Sequence, residues 1–96
     1  MATVTMRYWA AAKHAAGVAE ETISAETLSD ALAAALAGRE PARPGAAQAG
    51  DGAALRAVLA RSSFLVDGTP VGNRAPDSVR LTESAVVEVL PPFAGG

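Results

Sequence analysis

Val86-Val87-Glu88-Val89-Leu90-Pro91-Pro92-Phe93-Ala94-Gly95-Gly96 reads as a strand halted by a diproline, then one apolar residue and three very small ones. Alternation puts Val87 and Val89 on one face of the strand and Val86, Glu88 and Leu90 on the other. Pro91 and Pro92 cannot continue a hydrogen-bonded ladder; they hold the exit extended and aim it away from the sheet. The six residues after Leu90 span roughly 20 Å at full extension. Ala94, Gly95 and Gly96 have almost no side-chain volume, so such a tail can thread a narrow channel and offer a terminal carboxylate to buried chemistry. Phe93 either folds back onto its own sheet or docks in a partner pocket; the prolines push it outward and favour docking. On residue types alone, a merely frayed end is the competing reading.

Upstream, Thr3 to Trp9 alternates as a strand, with Val4, Met6 and Tyr8 on the expected core face and Thr5, Arg7 and Trp9 on the other. Arg7 and Trp9 together on an outward face would suit a protein interface; alternatively, Ala10 to Gly17 covers Trp9. That alanine-rich piece is a short helical turn or a loop. Glu21 to Ile23 is a second strand. The clearest helix is Thr27 to Leu36. Thr27 caps it, Asp30 stands three residues on, and Leu28, Leu32 and Leu36 recur every fourth residue with Ala31 and Ala35 beside them. Gly38 terminates it.

Arg39 to Gly52 holds two Pro and three Gly and no core face; it reads as a mobile surface loop. Asp51 caps a second short helix around Ala53 to Leu59. Ser63 to Val66 follows as a strand, Asp67-Gly68 as a tight turn and Thr69 to Val71 as a returning strand. Pro76-Asp77-Ser78 breaks the chain again before the final strand.

Ninety-six residues make one domain, 1–96, with one modest core. Cysteine is absent, which excludes disulfides, thiol catalysis and cysteine-ligated metal. Eight basic and ten acidic residues give a net charge of −2, with a single Lys and seven scattered Arg. That is no footprint for nucleic acid. The N-terminal residues do not read as a secretory signal and no apolar run is long enough to span a membrane, so the expected compartment is the cytoplasm. His14, alone and without nearby acids, reads as an ordinary loop residue, and no metal site is expected. Glu20 and Glu21 sit on opposite faces of a strand and make a poor catalytic pair.

Leu90-Pro91-Pro92-Phe93-Ala94-Gly95-Gly96 after a Val-rich strand resembles the small, sulfur-carrying subunit of molybdopterin synthase, in the ubiquitin-like sulfur-carrier family. Val4-Thr5-Met6-Arg7-Tyr8-Trp9-Ala10-Ala11-Ala12-Lys13 with Gly17 resembles that family's first strand and following loop. Thr27 to Leu36 resembles its helix, and Phe64-Leu65-Val66-Asp67-Gly68 its later strand and turn. The resemblance covers nearly the whole chain apart from Arg39 to Gly52, which looks like an insertion. Val71 to Leu81 is longer and more polar than the family pattern.

The resemblance implies an α+β, ubiquitin-like β-grasp fold: a mixed sheet on one main helix, its first and last strands parallel at the centre, with a flexible Gly-Gly tail at 91–96. It implies that an E1-like adenylating enzyme, using ATP and magnesium, joins AMP to the Gly96 carboxylate, and that sulfur from a sulfurtransferase displaces AMP to leave a thiocarboxylate. Ala94 and Gly95 would thread the channel, and Pro91, Pro92, Phe93 and Lys13 would dock the partner. The acceptor would be the large subunit of molybdopterin synthase, in a heterotetramer of two large and two small subunits. No cofactor is held permanently, and the chain is not catalytic alone. Related β-grasp carriers serve thiamine thiazole or cysteine synthesis. An interaction module with an inert tail is the alternative from another class.

Overall fold

The computed structural model describes residues 2–37 and 52–92. Their elements are β1 (Ala2–Tyr8), α1 (Ala10–Ala16), β2 (Glu20–Ala25), α2 (Leu28–Ala37), α3 (Gly52–Arg61), β3 (Ser63–Val66), β4 (Thr69–Pro70) and β5 (Val86–Leu90). The strands form one mixed sheet in the order β2-β1-β5-β3-β4. β1 runs parallel to β5 and antiparallel to β2, and β3 runs antiparallel to both β5 and β4. The first and last strands therefore lie side by side at the centre.

Register follows from burial. Met6 lies opposite Val87 and Tyr8 opposite Val89, and all four are buried, as is Val4. A slip of one residue would turn this whole set to the opposite face. The Tyr8 hydroxyl donates to Glu21 Oε2 at the edge of the core, so the buried ring's polar end is satisfied.

The helices cover the core face. α2 begins as expected: the Asp30 amide donates to Thr27 Oγ1 at 3.1 Å. Its most buried residues are Leu28, Ala31 and Ala35, whereas Leu32 and Leu36 flank the core only partly buried. A row of every fourth residue drifts about 40° per step around a helix, so the leucines rotate off the contact line. Small alanines occupy that line.

The helical layer extends beyond one main helix. α1 is a true helix whose Ala12, Ala15 and Ala16 are buried, and Gly17 closes it at φ 82°. α3 matches α2 in length and brings Leu55, Val58 and Leu59 into the core against α1. α3 starts at Gly52, the last residue assigned to the loop; positions 39–51, with Gly38 and Asp51, lie outside the described residues.

The β3–β4 hairpin turns at Asp67-Gly68, both with positive φ (51° and 84°), the type I′ geometry that suits a two-residue loop. The returning strand is shorter than expected, Thr69–Pro70, although the Val71 amide still donates to Phe64 O at 3.0 Å. From Val71 the chain wraps beside the start of α2. Val71, Val79 and Leu81 are buried, the Leu28 amide donates to Val79 O at 2.9 Å, and the Leu81 amide donates to Glu26 O at 2.8 Å. Three apolar anchors among polar residues thus account for the length of this segment.

Candidate functional site at the exit of the last strand

β5 delivers the chain to a defined place. Val89 pairs with Tyr8 on one side and Phe64 on the other, and Leu90 pairs with Ser63. Pro91 is buried and Pro92 exposed, so the body ends between the two prolines. Phe93, Ala94, Gly95 and Gly96, the expected docking, threading and reacting residues, lie outside the described residues.

Trp9 borders this exit. β1 ends at Tyr8, one residue before the expected end, and Trp9 instead caps α1 in extended conformation. Its amide donates to Val89 O at 3.3 Å, and its carbonyl accepts the amides of Ala12 and Lys13. Trp9 is 40% exposed, which decides between the two readings: α1 leaves it open. The Arg7 guanidinium lies 5.1 Å from the centroid of the indole ring, within cation–π range. The indole Nε1–H donates to Glu88 Oε1 at 3.1 Å. The ladder explains the cluster, because Arg7 faces Glu88 across β1–β5 and Glu20 across β1–β2. Arg7 Nε stands 3.7 Å from Glu20 Oε1, with both side chains well exposed, so this ion pair contributes at most about 1 kcal/mol.

Lys13 lies in the last turn of α1. It borders two adjoining surface clefts of about 440 and 360 Å³, and it shares Ala10 and Ala19 between them. The smaller cleft also includes Arg7 and Trp9, so the structure brings Lys13 together with the indole cluster. His14 borders only the larger cleft. Among the described residues, no three His, Asp or Glu side chains stand close enough to hold a metal ion. Glu20 and Glu21 diverge as alternation requires, one toward Arg7 and one toward Tyr8.

Sequence reasoning misses Glu88 and Ala10 in this cluster. Glu88 is 79 positions from Trp9, and only the parallel register reveals the pair. Ala10 has φ 50°, a left-handed conformation that costs a non-glycine residue roughly 1–2 kcal/mol.

A mixed sheet with parallel first and last strands at its centre, and helices over one face, defines the chain as a ubiquitin-like β-grasp domain. Small archaeal modifier protein 1 from Methanosarcina acetivorans shares the fold at TM-score 0.76 and 22% identity, over 100% of this chain and 98% of that one. A putative molybdopterin converting factor subunit 1 from Pyrococcus furiosus does so at TM-score 0.69 and 19% identity, over 97% and 100%. In the complex of subunits 1 and 2 of the molybdopterin-converting factor from Helicobacter pylori, the matched chain gives TM-score 0.62 and 21% identity, over 98% and 99%. At these identities the likeness shows the fold. No family model matches the sequence, and no curated protein matches it. No helix among the described residues is long and apolar enough to cross a membrane.

Proposed function

We propose that this chain is a sulfur carrier for molybdenum cofactor biosynthesis, and that its working group is the carboxylate of Gly96. What carries this reading is the exit of β5: in a whole-length β-grasp fold shared with molybdopterin converting factor subunit 1, the body ends at Pro91 and hands over to Pro92-Phe93-Ala94-Gly95-Gly96.

A carboxylate resists attack because charge and resonance stabilise it. Adenylation by an E1-like enzyme with ATP and magnesium joins the Gly96 carboxyl oxygen to AMP and releases pyrophosphate. Hydrosulfide, which a thiol releases from the persulfide of a sulfurtransferase with formation of a disulfide, then attacks the acyl carbon. The carbon–sulfur bond forms, the carbon–oxygen bond to AMP breaks with its electron pair, and a thiocarboxylate remains. This divides one hard step into two easier ones. The carrier's own contribution is position: a fixed body and a slim end turn an encounter in solution into a nearly unimolecular step. Ala94 and Gly95 thread, Phe93 docks, and a large synthase subunit receives the sulfur in a heterotetramer. The cytoplasm is the compartment this requires. Thiazole or cysteine synthesis would use the same end with a different acceptor.

A second reading, attachment to other proteins, is favoured by the likeness to the modifier protein of M. acetivorans. On that reading an amine of the target protein takes the activated acyl group in place of sulfur. Both readings share the adenylate and part at the nucleophile.

Intact-mass measurement after incubation with an E1-like adenylating enzyme, ATP and sulfide tests the proposal. Oxygen-to-sulfur exchange located at Gly96 is the expected result. A chain that acquires neither AMP nor sulfur would refute it.

A further inference from the structure

The two ends of the sheet are finished differently. β4 closes one end with Thr69–Pro70, two residues long and with a proline that has no N–H to offer. β2 closes the other with six residues, Glu20–Ala25, and holds no proline, glycine or lysine. Sheet edges are ordinarily guarded by such residues, by shortness or by a covering element. Among the described residues β2 pairs with β1 alone.

The phase of the ladder decides what this edge presents. The register that sets Arg7 opposite Glu20 sets Tyr8 opposite Ala19, and the Tyr8 amide donates to Ala19 O at 2.8 Å. In an antiparallel pair, opposed residues that bond each other alternate with ones that do not. Glu21, Ile23 and Ala25 therefore turn their main-chain groups toward β1. Glu20, Thr22 and Ser24 turn theirs outward, and all three residues are exposed.

We propose that this edge pairs with the same edge of a second copy of the chain, antiparallel about a two-fold axis at Thr22, so that two five-stranded sheets run on as one. The register is self-complementary. Thr22 meets Thr22 of the second copy and Glu20 meets its Ser24, which brings every outward main-chain group of β2 into a bonded pair. Glu21 meets Ile23 of the second copy. No like charges stand opposite one another, and Glu20 is already paired with Arg7 of its own chain.

Charge selects this register over its neighbours. Only a shift of two residues preserves the bonding phase. A shift one way sets Glu21 against Glu21 of the second copy, and a shift the other way sets Glu20 against Glu26; like charges directly opposed destabilise a pair. Ile23 adds an apolar contact. It shares the core face with Val4 and is only partly buried in the single chain. In the register centred on Thr22 it lies diagonal to its counterpart, within reach of a side chain of that size. β1 stands between β2 and β5, so this pairing does not use the strand that delivers the tail.

Sedimentation velocity of the full chain from about 10 µM to about 1 mM covers the affinity expected when a few main-chain hydrogen bonds provide most of the contact. The average mass should rise with concentration toward that of two chains. Thr22→Pro removes an amide that faces away from β1 and should raise the dissociation constant about tenfold or more. Thr22→Lys and Thr22→Glu each set like charges across the axis and should each weaken association several-fold; an equal mixture of the two should restore it. Where thermal unfolding shows the proline variant to be unfolded, the charge pair decides alone. In the native chain, hydrogen exchange at the amides of Glu20, Thr22 and Ser24 should slow as concentration rises. A chain that stays monomeric throughout overturns the proposal and leaves the edge to an extended segment of another protein. A dimer indifferent to the substitutions at Thr22, or Lys and Glu variants that fail to recover on mixing, overturns it too. None of these readouts depends on sulfur loading.

Discussion

Asp67 and Val86 are joined by two hydrogen bonds: the Asp67 amide donates to Val86 O and the Val86 amide to Asp67 Oδ1, each at 2.9 Å. One residue of the hairpin turn therefore locks the start of the strand that leads to the tail. Asp67→Ala leaves the Val86 amide without its acceptor and places alanine at φ 51°, and a loss of about 1–3 kcal/mol is expected. Asp67→Asn keeps both the acceptor and the tolerance for this conformation and should lie near the native value. Urea unfolding of the two variants makes the comparison.

Gly68 separates backbone from packing. Its φ is 84°, and an added Cβ would meet nothing within 4 Å. Gly68→Ala should therefore cost only the left-handed backbone penalty, about 1–2 kcal/mol, with no change in the core. A loss well above this in the same unfolding assay would contradict the open space beside it.

Thr27 caps α2 through the Asp30 amide. Thr27→Ala should destabilise by about 0.5–2 kcal/mol and Thr27→Ser by much less. For a domain of this size each kcal/mol lowers the melting temperature by roughly 4–8 °C, so calorimetry resolves the pair.

Met6 is fully buried between Val4 and Tyr8 on the core face of β1. Met6→Ala is expected to cost about 2–5 kcal/mol, a large fraction of the stability of a small domain. Denaturant midpoints compared with those of Thr5→Ala, on the opposite face, would show the asymmetry of the strand.

Removal of Gly96 should abolish sulfur loading while leaving the melting temperature unchanged. Gly95→Ala should slow it, since a methyl group both widens the tail and narrows its backbone freedom. A short extension after Gly96 should be as damaging as the deletion, because no free carboxylate remains there. Normal loading of an extended chain would refute Gly96 as the residue that bears the reacting carboxylate.

The central strands were legible because Val4, Met6 and Tyr8 alternate with Thr5 and Arg7, and because Val86 to Leu90 is a short β-branched run stopped by Pro91. The cap at Thr27 was legible for a local reason too, since its partner is three residues away. α1 was not. Its Ala-Ala-Ala-Lys-His-Ala-Ala offers little apolar contrast, so sequence leaves helix and loop open, and only packing against α3 decides. The segment from Val71 to Leu81 escaped because its three anchors follow no helical or strand period. In the candidate site, the place where β5 hands over to the prolines could be read directly. The Trp9–Glu88 bond could not, because it depends on which residues of β1 and β5 stand level.

The adjacency of β1 and β5 also sets an order of events during synthesis. Residues 2–8 are made well before their parallel neighbour at 86–90, so the hub of the sheet stays open until that later strand has left the ribosome. Such distant pairing folds slowly compared with local helices. A translation product that stops before residue 86 thus lacks the strand that completes the centre of the sheet.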